Sequence, residues 1–88
     1  MRYLSRVEVR LKPGYLDPEG ESTRKALEDL GYRVGSVSVV KVYEIEFSAP
    51  SLEEAKKLTE EMCRKLLSNP VKDDYSFEVR KVERRVKG

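Results

Sequence analysis

Cys63 is the single thiol of a chain that has no histidine, and these two facts narrow the available chemistry more than any motif does. Without imidazole there is no histidine general base to activate a serine or cysteine and no Cys/His zinc set, and one cysteine cannot form an intramolecular disulfide. Cys63 lies in an apolar run at helical spacing, where a free thiol packs as a small hydrophobe and no neighbouring residue type would activate it. The carboxylate pairs Glu53-Glu54, Glu60-Glu61 and Asp73-Asp74 could attract a hard cation, but the first two sit among lysines and arginines, the pattern of a solvated helix face. Lys12, Gly14 and Gly20 flank a predicted helix start, where backbone N–H groups can hold a phosphate. Asp17, Glu19 and Glu21 would repel one there, and the spacing is neither a GxGxxG fingerprint nor a Walker A loop. The stretch reads as a turn and a cap, and no catalytic residue or metal ligand is assigned.

Basic charge is the remaining chemical signal. Eighteen Lys and Arg against sixteen Asp and Glu give a net charge of +2. Arg80, Lys81, Arg84, Arg85 and Lys87 against Glu83 concentrate the positive charge in the last nine residues. An RNA-recognition module would also need an aromatic, glycine-containing motif on its central strands. Neither Val7–Leu11 nor Tyr43–Phe47 supplies one, and Glu8, Glu44 and Glu46 make the expected sheet negative. Nucleic acid is therefore not the expected partner.

The elements that must position these residues follow from periodicity. Val7, Val9 and Leu11 alternate with charged residues, a strand with one buried and one wet face. Pro13-Gly14 ends it. Asp17-Pro18 predicts an N-cap and first helical residue, and Thr23, Ala26, Leu27 and Leu30 form one face of a helix ending before Gly31. Gly20 is a weak point in its first turn. Val34 to Phe47 predicts two strands, because one strand of that length would exceed the usual range; a tight turn or bulge is expected near Val40-Lys41-Val42. Ser51 and Glu54 make a capping box for a second helix with an apolar stripe of Ala55, Leu58, Met62, Cys63, Leu66 and Leu67, ending by Ser68 ahead of Pro70. Tyr75, Phe77 and Val79 alternate as a fourth strand.

The order β-α-β-β-α-β predicts an α+β fold, an antiparallel four-stranded sheet with two helices on one face, ferredoxin-like or a relative of it. One domain over residues 1–79 and a basic tail over 80–88 are expected. At 88 residues, 39% hydrophobic and 39% charged, the chain can fold, but its core is thin and its strand edges suit association with another chain. No apolar run approaches the roughly 18 residues of a membrane helix and the first residues lack a secretory signal, so a cytoplasmic location is expected. The same topology serves RNA-binding and small-ligand regulatory domains, which stand as the alternative readings.

The assembled motifs resemble the PurS subunit family of bacterial and archaeal phosphoribosylformylglycinamidine synthase. The resemblance is carried by Val7-Glu8-Val9-Arg10-Leu11-Lys12-Pro13-Gly14, by Leu16-Asp17-Pro18-Glu19-Gly20, by Ala26-Leu27 with Leu30-Gly31-Tyr32, and by Glu61 to Val71 with Tyr75. Val40-Lys41 stands where the family commonly has Gly-Lys. The resemblance implies a subunit with no active site of its own that forms dimers or tetramers. It would join a glutaminase (PurQ-type) subunit to an ATP-dependent synthetase (PurL-type) subunit and support ammonia transfer between them in purine biosynthesis. ATP, Mg and glutamine would be used by the complex, with no cofactor bound by this subunit. Lys12, Pro13, Gly14, Lys41, Asn69 and Pro70 are the candidate partner contacts, being turn residues that the core pattern does not require.

Overall fold

The computed structural model describes residues 1–83, and the cationic residues Arg84, Arg85 and Lys87 of the expected tail lie outside them. The elements are β1 (Arg2–Leu11), α1 (Pro18–Asp29), β2 (Lys41–Ser48), α2 (Leu52–Met62) continued by a π-helical turn (Cys63–Leu67), and β3 (Asp73–Val82). They form one antiparallel sheet in the order β2-β1-β3. The α+β class and the two helices follow the expectation; among the described residues the sheet has three strands, not four.

β1 is longer than its clean alternation suggested. It begins at Arg2, because Tyr3 and Ser5 continue the inward face of Val7 and Val9. Ser5 hid this by placing a hydroxyl on an apolar face. β3 likewise continues to Val82, pairing Arg80 with Leu4 and Val82 with Arg2, so the first residues of the expected tail belong to the sheet.

The fourth strand expected between Val34 and Val40 is absent from the sheet of the single chain, and no hairpin forms at Val40–Val42. Tight two-residue hairpins need residues that accept positive φ. The only positive-φ residues among those described are Gly14 and Gly31, and the valine-rich stretch before β2 offers nothing equivalent. The segment follows α1 instead of folding back along β2.

The helices also divide differently from expectation. α2 covers the inner face of the sheet: Ala55, Thr59 and Cys63, four residues apart, are fully buried against it. Ser51 caps α2 by accepting the Glu54 N–H at 3.1 Å. At its far end the Cys63 carbonyl accepts both the Ser68 N–H at 3.0 Å and the Ser68 hydroxyl at 2.9 Å, closing a turn one residue wider than an α-helical one. That wider turn brings Leu67 onto the line of the buried residues. Leu66, expected in the apolar stripe, is rotated out of it and is 82% exposed. α1 stands clear of the sheet; its only buried residue is Gly20, and Leu30 from its predicted apolar face is 74% exposed.

The core is one layer deep and has two parts. Tyr3, Ala49 and Ala55 pack with Phe47, Leu58 and Val79, and Val7, Val9 and Cys63 pack with Tyr43, Ile45, Leu67, Tyr75 and Phe77. Between them lies a buried polar pair, Ser5 and Thr59, with hydroxyl oxygens 2.5 Å apart. Thr59 donates to the Ala55 carbonyl at 2.9 Å, so Ser5 is the donor within the pair. The pair fixes α2 on β1 at one register, and no buried side-chain polar atom among the described residues lacks a partner.

The outer face of the sheet is a charged surface of the kind an antiparallel sheet can turn to water. Arg2 meets Glu46 at 3.4 Å, Arg6 meets Glu44 at 3.7 Å, and Glu8 sits between Arg6 and Arg10 at 3.2 and 3.4 Å. These pairs are exposed and contribute at most about 1 kcal/mol each. The described residues form a thin plate of 51 × 37 × 15 Å with a radius of gyration of 17.4 Å, against about 12 Å for a compact domain of this length.

Candidate partner-binding end of the sheet

The six residues singled out from the sequence gather at one end of the sheet. Leu11 at the end of β1 pairs with Asp73 at the start of β3, and Val9 pairs with Lys41 at the start of β2. The turn Lys12–Gly14, the bend Asn69–Pro70 and Lys41 therefore share the edge where β1 leaves the sheet.

Each has a traceable local role. Gly14 has φ +94°, a left-handed conformation that a side chain would strain. Lys12 donates its backbone N–H to the Lys72 carbonyl at 2.7 Å and its ammonium to Asp74 at 2.9 Å. Asn69 serves as the hub of its bend. Its side-chain oxygen accepts the Val71 N–H at 2.8 Å, its carbonyl accepts Asp73 N–H at 2.8 Å, and its N–H donates to the Asp73 carboxylate at 2.8 Å. Lys12 and Asn69 thus do more for the fold than the sequence suggested. Among the described residues Lys41 forms no salt bridge and stands exposed at the start of β2.

The Tyr15 hydroxyl donates to the Val71 carbonyl at 3.2 Å, tying the two bends together. A cleft of about 400 Å³ opens beside them, lined by Lys12, Pro13, Tyr15, Asp17 and Val39. A smaller one of about 250 Å³, with Lys41, Leu67 and Lys72 in its wall, adjoins it. Leu16 (88% exposed), Val71 (70%) and Leu66 (82%) leave apolar surface on the segments bordering this end. Cations, exposed aliphatic groups and rigid bends at a sheet end suit protein contact, not bond-making.

Two residues of the opening turn carry functions that local sequence reasoning missed. Asp17 accepts the Gly20 N–H at 2.9 Å, the expected cap, and its other oxygen accepts the Val39 N–H at 2.9 Å. Donation by the amides of Val39 and then Gly20 holds its carboxyl below the ordinary value of 3.8. A β-carbon on Gly20 would lie 2.3 Å from the Val37 carbonyl oxygen, so glycine is required there by the returning chain. The weak point in the helix is a contact point, and only long-range structure could have shown it.

The remaining reactive groups are engaged. Cys63 is fully buried, and burial, with Glu60 next, raises its thiol above 9.0. Tyr75 donates its hydroxyl to Glu60, and that bond raises the phenol above 10.0. Among the described residues no group of three or more His, Cys, Asp or Glu side chains is placed to hold a metal ion, and no helix is long and apolar enough to cross a membrane.

Fold and site together define a small α+β protein with a cationic, bend-rich end to its sheet. Residues 4–81 match the family model described as PurS: phosphoribosylformylglycinamidine (FGAM) synthase. The chain belongs to the PurS family. It is 54% identical over 72 residues to the phosphoribosylformylglycinamidine synthase subunit PurS of Archaeoglobus fulgidus, covering 81% of this chain and 90% of that one. With the Methanocaldococcus jannaschii PurS crystal structure it shares a TM-score of 0.81 at 41% identity, over 92% of this chain and 99% of that one. A chain of the PurLQS structure from Thermotoga maritima gives a TM-score of 0.79 at 29% identity, over 93% of this chain and 99% of that one.

Proposed function

We propose that this chain is the assembly subunit of phosphoribosylformylglycinamidine synthase, bridging the glutaminase and ATP-dependent synthetase subunits in purine biosynthesis and supporting ammonia transfer between them. The observation that carries the reading is the 54% identity, over 81% of this chain and 90% of the relative, to a chain named as a subunit of that enzyme. The single-layer core, the buried and unactivated thiol of Cys63 and the cluster of bends at one sheet end support a contact role. In this reading ATP, Mg and glutamine are bound by the partner subunits, and the complex works in the cytoplasm.

The partner contacts are Lys12, Pro13, Gly14, Lys41, Asn69 and Pro70. Their convergence on one end of the sheet supports a shared docking surface. The chain works as a dimer or tetramer whose sheets continue between subunits. Strands joined by a hairpin are normally neighbours, so the place beside the free edge of β2 is the one segment 34–40 would fill in the four-stranded plan. A second copy's identical segment fits that place, exchanging strands as domain-swapped oligomers do.

Reconstitution tests the assignment. The synthetase and glutaminase subunits from the same source, assayed for amidine formation from glutamine, should lose most of their glutamine-dependent activity when this protein is omitted. Equal activity without it would refute the role. Lys41→Glu should impair complex formation in gel filtration with no loss of stability, because no salt bridge of the described residues is broken.

A further inference from the structure

We infer that Asp17 is a positioning residue for self-assembly: its carboxylate clamps the start of α1 to segment 34–40 and holds the segment where it can enter a second copy's sheet. The inference rests on the strand-exchange reading given above and assigns the residue that orients the exchanged arm.

The geometry separates a clamp from a helix cap. A cap needs one acceptor, and Asn, Ser or Asp serve about equally well. Asp17 uses both oxygens, one on the Gly20 N–H and one on the Val39 N–H, each at 2.9 Å. The second bond reaches 22 residues along the chain and contributes nothing to capping. Gly20 completes the joint, since the Val37 carbonyl oxygen lies 2.3 Å from where a β-carbon would stand. Helix and segment therefore meet backbone to backbone, and the carboxylate bridges them at the same point.

A joint of this kind matters because so little else supports the arm. α1 buries only Gly20, and Leu16, Leu30, Tyr32 and Val39 are 88, 74, 62 and 40% exposed. An arm without its own core keeps its direction through its base. Fixing that direction before association reduces the ordering cost of exchange, which appears as affinity.

Asp17→Asn is the discriminating change. Asparagine keeps one side-chain oxygen for the cap, but its amide nitrogen is a donor and cannot accept the second N–H. Sedimentation of the full-length protein over a range of concentrations, with far-UV circular dichroism, reads both effects. Asp17→Asn should retain the helical signal while its self-association constant weakens about tenfold or more, the loss expected for a hydrogen bond to a charged group. Asp17→Ser, another good cap with one acceptor, should behave alike and decides the matter if the asparagine variant folds poorly. Gly20→Ala should also weaken association. A single-acceptor variant that folds and associates like the wild type reduces Asp17 to a cap and overturns the inference while strand exchange stands. A wild type that stays monomeric at every concentration overturns strand exchange, and the clamp with it.

Discussion

At the scale of single residues, the Ser5–Thr59 pair is the most informative feature. Each hydroxyl is fully buried, and the proton directions are set because Thr59 donates to the Ala55 carbonyl. Thr59→Val removes the acceptor and leaves the Ser5 hydroxyl as a buried donor without a partner, a cost of about 1–3 kcal/mol. Ser5→Ala leaves Thr59 its donation to Ala55 and should cost less. The double variant should be less destabilised than Thr59→Val alone, and urea unfolding of the four proteins measures the coupling. The pair is not legible in the sequence, because polarity alone would place each residue on a wet face. A serine in an alternating strand and a threonine at four-residue spacing from Ala55 and Cys63 become legible only once each is seen as the other's partner. The burial of Cys63, by contrast, is legible from its apolar neighbours.

At the scale of elements, local chemistry was a good guide to ends and a poor one to pairing. The cap at Asp17, the glycine stop at Gly31 and the halt of the second helix at Ser68 are all present where their residue types place them. These signals act within a few residues of the backbone they describe. The fate of segment 34–40 was not legible, because β-branched residues favour a strand without specifying which sheet receives it. The π-helical turn was invisible for a similar reason: its cause is a serine capping back to Cys63 while Leu67 finds the core. Ser51→Ala tests the local part of this account. Removing the side-chain acceptor at the start of α2 should cost about 1 kcal/mol, read as a lower midpoint in thermal or urea unfolding. Because α2 is the helix that covers the sheet, that loss should appear in global stability and not only in helix fraying.

At the scale of the whole molecule, the plate-like shape sets the energetics. The accessible surface of 6903 Å² exceeds the roughly 5,300 Å² of a typical monomer of this mass. The arm exposes Leu30 and Tyr32, and the sheet end exposes Leu16, Leu66 and Val71. An obligate oligomer couples folding to association, so its melting temperature should rise with protein concentration. Differential scanning calorimetry over a hundredfold dilution series checks this, and a melting temperature independent of concentration would show that the isolated chain is stable by itself.

The position of β1 has a consequence for synthesis. It is the central strand, hydrogen-bonded on both sides, yet its two neighbours follow it in the chain, and Arg2 finds its second partner only in Val82. A nascent chain leaving the ribosome therefore exposes β1 long before β3 exists to flank it. Pairings of such long sequence separation form slowly, so the sheet closes only once β3 has been made, and until then β1 presents an unpaired edge.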